Sequence, residues 1–189
     1  MDQDATLALF RRAGVLLEGH FRLSSGLHSS GYLQSALVLQ NPADAATLGA
    51  ALGAWSAALR PAVVLSPALG GVIIGHEVGR ALRVRAIFAE RANGALTLRR
   101  GFSLSPGERV LVVEDVVTTG GSTRETIEVA EAADAQVIGA AALIDRSGGT
   151  ADLTVPFHAL AQLSLPPCGP SACLLCAQGV PVIKPGSRL

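Results

Sequence analysis

Lysine is nearly absent from this chain. Lys184 is the only one in 189 residues, and every other strong base is an arginine. Any mechanism that needs a lysine beside its reacting groups therefore has almost none to draw on. Neither sign of charge predominates. Lys+Arg and Asp+Glu number 15 each, so no general polyanion-binding field is implied and no nucleic-acid partner is expected. Long apolar runs are missing too. The hydrophobic fraction of 49% is spread through alanine, leucine and valine, and no run approaches a membrane span. Met1-Asp2-Gln3-Asp4 is not a basic signal-peptide start, so the expectation is a cytoplasmic protein without membrane contact. Cysteine is sparse. Three cysteines, an odd number near the C-terminus, make no disulfide framework.

What is present centres on residues 109–133, RVLVVEDVVTTGGSTRETIEVAEAA. Val110, Leu111, Val112 and Val113 read as a strand buried on both faces of a parallel sheet. Glu114 and Asp115 follow where that strand should emerge, and a small-residue loop comes next, Thr118-Thr119-Gly120-Gly121-Ser122. A helical pattern opens at Thr123 and turns Ile127 and Val129 inward. Open α/β sheets bind ligands at the carboxyl ends of their strands, and a helix start offers free N–H groups to an anion. Close glycine backbone and three hydroxyls complete a phosphate cradle beside two carboxylates. A Walker loop needs Gly-Lys-Ser/Thr, and no lysine stands here. A dinucleotide fingerprint places its glycines straight after the strand and its acid much later, the reverse of this order.

The rest of the chain supports one α/β core. Residues 4–17 form an amphipathic pattern with Leu7, Phe10 and Leu17 at helical spacing, Asp4 as N-cap and Gly19 as its end. Residues 21–34, FRLSSGLHSSGYLQ, alternate around two Ser-Ser-Gly turns and predict a hairpin-like hood. Asn41-Pro42 opens an alanine-rich helix to about residue 60. Strand–helix units follow, with strands at 63–65, 84–89, 110–113 and 137–144. Their alternation predicts a mostly parallel sheet flanked by helices, with right-handed crossovers. No linker separates domains, so residues 1–189 are expected to form one domain with the hood at about 18–40 and a cysteine-bearing tail at about 164–189.

Further candidates lie around the central loop. Ser66 to Gly71 is a second small-residue turn at a strand end. Arg91, at the end of the second strand, is placed to bind a phosphate group bidentately, while Arg99 and Arg100 lie on a two-stranded excursion beyond it. Arg146, at the end of the fourth strand, stands next to that central loop in a parallel sheet. The four histidines show no metal-ligand spacing in sequence, and His28 in the hood is the one left open as a functional group. Cys168, Cys173 and Cys176 lack a fourth zinc ligand unless His158 supplies it. The alternative is packing of Cys173 and Cys176 as small hydrophobes.

The acid pair and hydroxyl-rich loop resemble the phosphoribosyl pyrophosphate motif of the type I phosphoribosyltransferases. Nearly the whole chain resembles the orotate branch, through the hood, the residue 67–71 turn, Glu90-Arg91, the loop, and Asp145-Arg146. The resemblance implies the type I phosphoribosyltransferase fold and transfer of a 5-phosphoribosyl group to orotate, giving orotidine 5-phosphate and pyrophosphate in pyrimidine synthesis. By it, Glu114 and Asp115 are the catalytic acids that accept the ribose hydroxyls. Arg91, Glu114, Asp115, Val116, Val117, Thr118, Thr119, Gly120, Gly121 and Ser122 would bind phosphoribosyl pyrophosphate, and Thr118 and Arg146 would touch orotate. It also implies Mg²⁺ arriving with the substrate and a homodimer with shared active sites. Three departures stand out. Many relatives carry lysine where Ser24 and Gly70 stand here, and a mobile loop usually supplies a catalytic lysine that this chain lacks. Arg99 or Arg100 is the expected replacement. A phosphoribosyltransferase for a purine or other base, or a non-catalytic regulator of the same fold, remains the alternative.

Overall fold

The computed structural model describes residues 1–23, 26–166 and 168–184. Asp2, in extended backbone, accepts a hydrogen bond from the Ala5 N–H at 2.8 Å and opens α1 (Gln3–Arg12). The cap is therefore Asp2 and not Asp4. The helix also ends early, because Gly14 takes the left-handed conformation (φ 65°) just past its last turn. Leu17 and Gly19, read from the sequence as helix and helix stop, belong to the strand β1 (Leu16–Arg22). This strand pairs antiparallel with β2 (His28–Leu33) in a separate two-stranded sheet. The register slips between Glu18 and Phe21, and His20 and Phe21 are both buried there, where strict alternation would turn one of them out.

A short helix α2 (Ala36–Leu39) leads into α3 (Pro42–Ser56), whose cap Asn41 accepts from the Ala43 N–H at 3.1 Å. The remaining elements are β3 (Val63–Pro67), α4 (Gly70–Leu82), β4 (Arg85–Ala92), β5 (Ala95–Leu98), β6 (Arg109–Val117), α5 (Gly121–Glu131), β7 (Gln136–Asp145), β8 (Phe157–Gln162) and α6 (Leu174–Ala177). The main sheet runs β5-β4-β3-β6-β7-β8, parallel throughout except for the antiparallel β4–β5 edge. The sheet thus has the mostly parallel, helix-flanked form read from the sequence. β8 escaped that reading because FHALAQ has little β-branched character. It is held by pairing with β7, Ala140 against Phe157 onward, not by its own propensity.

β6 lies at the middle of the sheet and splits the core by parity. Leu111 and Val113 pack with Leu48, Leu52, Ile74 and Val78 of α3 and α4, whereas Val110 and Val112 pack with Ile127 and Ala130 of α5. α3 and α4 meet at Gly49, where an added Cβ would lie 2.5 Å from Glu77 Cβ and 2.8 Å from its backbone carbon. Gly49→Ala improves local helix propensity by about 1 kcal/mol, but forcing the helices apart costs about 1–3 kcal/mol. The expected net result is a lower thermal midpoint by differential scanning calorimetry. A midpoint at or above wild type would show that the two helices are free to separate.

Candidate active site

β6 carries both acids inside the strand, with Glu114 paired across to Ala142 of β7. Being consecutive, they leave the strand on opposite faces. Glu114 follows Val110 and Val112 toward α5. Its carboxyl accepts from the Ser122 hydroxyl at 2.8 Å and from the Asp115 N–H at 3.1 Å. Only 5% exposed, it is pushed up from 4.5 to about 9 by burial first, then by hydrogen bonding and charge repulsion from Asp115, with Ser122 opposing. Asp115 follows Leu111 and Val113 to the other face, where the Ser35 hydroxyl donates to it. There it borders the first turn of α4. A Cβ at Gly70 would lie 2.6 Å from its carboxylate oxygens, so no side chain, lysine included, fits at position 70 while the carboxylate holds this place.

Asp115 opens onto a cleft of about 770 Å³ between the hairpin and the carboxyl ends of β6 and β7. Val116, Thr118 and Thr119 of the loop line it, as does Arg146 beyond β7. Val117 is buried beneath the loop, and Gly120, Gly121 and Ser122 lie outside the cleft wall. Gly120 adopts a left-handed conformation (φ 77°) and supplies no side-chain cap, leaving the first-turn N–H groups of α5 uncapped beside the cleft. Arg146 is half-buried. Burial pulls its guanidinium below the usual range, with Tyr32 opposing. Its Nε has no hydrogen-bond partner among the described residues, and Nη2 donates only a long bond, 3.4 Å, to the Leu165 carbonyl.

Other sequence candidates sit elsewhere. Arg91 does not line the cleft. Its guanidinium pairs with Glu125 at 2.9 Å and donates to the Gly94 carbonyl at 2.5 Å. Arg99 and Arg100 both face Glu90, at 3.7 and 3.0 Å. These pairs are largely exposed, and each holds its arginine by no more than about 1 kcal/mol. Ser24 lies outside the described residues. The cleft also holds two cations that the sequence reading did not place there, Arg22 and Lys184. Lys184 stands far along the tail in sequence. The tail in fact returns across the hairpin, with Ile183 accepting from the Arg22 N–H at 2.8 Å and donating to the His20 carbonyl at 2.8 Å. Nothing in local sequence signals such a return.

The raised value of Glu114 has a consequence for stability. Below pH of about 4.5 the group is protonated in the folded and unfolded chain alike, and above about 9 it is ionised in both. In between, the folded chain keeps a proton that the unfolded chain releases, so its contribution is present at low pH and lost at about 1 kcal/mol per unit as pH rises. Glu114→Gln keeps the acceptor oxygen and removes the titration. Urea midpoints measured at about pH 6 and about pH 8 should fall more steeply in wild type than in the variant. Parallel pH dependences would contradict a protonated Glu114.

Three comparisons bear on this site. A family model described as phosphoribosyl transferase domain matches residues 53–156, from the last turn of α3 through β6 and the loop after it and on past β7. An orotate phosphoribosyltransferase of Pelotomaculum thermopropionicum is 52% identical over 188 residues, covering 100% of this chain and 99% of that one. One from Rhizorhabdus wittichii is 54% identical over 191 residues, covering 100% and 97%. Among solved structures, an orotate phosphoribosyltransferase from Aeropyrum pernix aligns with a TM-score of 0.67 at 27% identity, covering 82% of this chain and 92% of that chain. A strand-end acid pair, an uncapped helix start beneath a hydroxyl-rich loop, and full-length identity above one half agree, and the chain belongs to the orotate phosphoribosyltransferase family.

Proposed function

We propose that this chain transfers the 5-phosphoribosyl group of phosphoribosyl pyrophosphate to orotate in the cleft that Asp115 and Arg146 share. The observation that carries the reading is the composition of that cleft. Arg22, Arg146 and Lys184 face it together with one carboxylate and the phosphate loop, a set that suits a polyanionic sugar phosphate and an anionic planar base. A neutral purine would leave the unpartnered Nε of Arg146 unmet at a desolvation cost.

In this reading the α5 start and the hydroxyls of Thr118 and Thr119 hold the 5-phosphate. Asp115 accepts from a ribose hydroxyl and faces the sugar carbon, where positive character develops as pyrophosphate leaves and a ring nitrogen of orotate bonds to it. Glu114, neutral and tied to Ser122, holds the loop and strand together beneath the sugar. The Asp115 carboxylate, with pyrophosphate and ribose oxygens that come with the substrate, would offer hard oxygens to Mg²⁺, which would supply charge for the departing pyrophosphate. Arg91 reaches the pyrophosphate by leaving Glu125, an exposed pair that is cheap to break.

The test is an assay with phosphoribosyl pyrophosphate and each of orotate, uracil, hypoxanthine, xanthine and adenine. Orotate alone should be consumed, and excess EDTA should stop the reaction until Mg²⁺ is restored. Asp115→Asn should lower kcat about a hundredfold, the effect of losing about 3 kcal/mol of transition-state stabilisation. Turnover of a purine, or an unchanged kcat in the variant, would defeat the assignment.

A second chain completes the site in this proposal. Arg99 and Arg100 are exposed cations just past β5, and an excursion that reached a partner's cleft would bring to the leaving pyrophosphate the charge that lysine supplies in relatives. Mixing Asp115→Asn protein with the double variant Arg99→Ala, Arg100→Ala should restore part of the activity, since a hybrid dimer keeps one intact site. No recovery after demonstrated subunit exchange would rule out delivery in trans.

A further inference from the structure

Outside the cleft, two histidines and two cysteines from distant parts of the chain converge. His20 comes from β1, His28 from β2, Cys173 immediately precedes α6, and Cys176 lies within it. One ligand-capable atom from each lies within 4.8 Å of all the others. His20 Nε2 is 2.8 Å from His28 Nδ1, 3.5 Å from Cys173 Sγ and 3.6 Å from Cys176 Sγ, and His28 Nδ1 is 3.2 Å from Cys176 Sγ. A tetrahedral centre with Zn–N near 2.0 Å and Zn–S near 2.3 Å has ligand–ligand edges of roughly 3.3–3.8 Å. Two of the three sulfur–nitrogen edges fall in that range and the third, 3.2 Å, lies just below it, while the 2.8 Å nitrogen–nitrogen edge would have to lengthen on binding a metal.

The tautomer of His20 points the same way. Its Nδ1 lies 2.7 Å from the Val180 carbonyl, and a carbonyl only accepts, so Nδ1 carries the proton. In the neutral ring Nε2 then turns a bare lone pair toward the other three atoms. This is the outer hydrogen bond that fixes ring orientation in metal-binding histidines. The two rings meet edge-on at 66°, with His20 Nε2 and His28 Nδ1 at hydrogen-bond distance. His158, the fourth ligand suggested by sequence, is elsewhere, stacked on Trp55 at 4.9 Å. Cys168 stands beside the group, its thiol 3.8 Å from the His28 backbone carbonyl and in contact with the Cys173 thiol, but it is not one of the four converging atoms.

We infer that His20, His28, Cys173 and Cys176 form a tetrahedral zinc site that clamps the tail to the hairpin. The donor set, two thiols and two imidazoles, selects zinc over hard cations. Backbone bonds frame the clamp on both sides. His28 and Cys168 exchange N–H to carbonyl bonds at 2.8 and 2.9 Å, and Ile183 bridges His20 and Arg22. A closed coordination shell linking residues some 150 positions apart removes loop entropy from the unfolded chain and fixes the tail that carries Lys184 to the cleft.

The experiment measures zinc by inductively coupled plasma mass spectrometry in protein purified from zinc-supplemented medium. Wild type should carry about one zinc per chain, Cys173→Ser and Cys176→Ser less than about a tenth of that, and Cys176→His close to the wild-type content. Cys168→Ser and His158→Asn should keep their zinc. Should the serine variants fail to fold, wild type reconstituted with Co²⁺ still decides, because a sulfur-to-cobalt charge-transfer band is expected. Wild type without zinc and without that band, a Cys173–Cys176 disulfide in the purified protein, or loss of zinc from Cys168→Ser would each overturn the site.

Discussion

A strand buried on both faces sends consecutive side chains into different surroundings, and the site depends on this property of β6. Parallel partners on either side fix its register, and helices cover both faces. Two adjacent carboxyls therefore cannot act as an equivalent pair. Glu114 is turned toward α5 and desolvated until it holds its proton, while Asp115 is turned toward α4 and the open cleft. One backbone step separates a buried acid that keeps its proton from an acid that lines the cleft.

The two faces also explain the small residues nearby. At Gly70 the Asp115 carboxylate occupies the space a side chain would take and would have to shift to admit one, while Gly120 lets the loop turn left-handed under Leu153 and Arg124 before α5 begins. The positive lining comes from three unrelated places: the end of β1, the segment after β7 and the tail. Their convergence depends on the tail returning onto the hairpin, where Ile183 bonds His20 and Arg22 and Cys168 bonds His28.

Much of this was legible in the chain itself. The aliphatic run, the acids and the hydroxyl-rich loop specify a buried strand, a sheet edge and a helix start through purely local chemistry, and each lies within a few residues of its expected place. Asn41-Pro42 likewise marks its helix by cap and fixed φ. What stayed hidden depends on contacts distant in sequence. Leu17 has helical spacing from Phe10, yet strand pairing with Tyr32 claims it. β8 exists because β7 offers an edge. His20 and His28 have no ligand spacing along the chain; the hairpin register and the returning tail create it. The opposite faces of Glu114 and Asp115 follow from strand parity, which the sequence contains once the strand is extended past Val113.

The single lysine acquires a practical meaning from its position. Apart from the α-amino group, Lys184 is the only primary amine in the chain, and it stands on the wall of the cleft. Amine-directed acylation of this protein is therefore close to a single-residue footprint. The mass added to the tail peptide reads out whether the cleft is filled, with no background from surface lysines, and the molecule carries its own occupancy reporter without a mutation or a fluorophore.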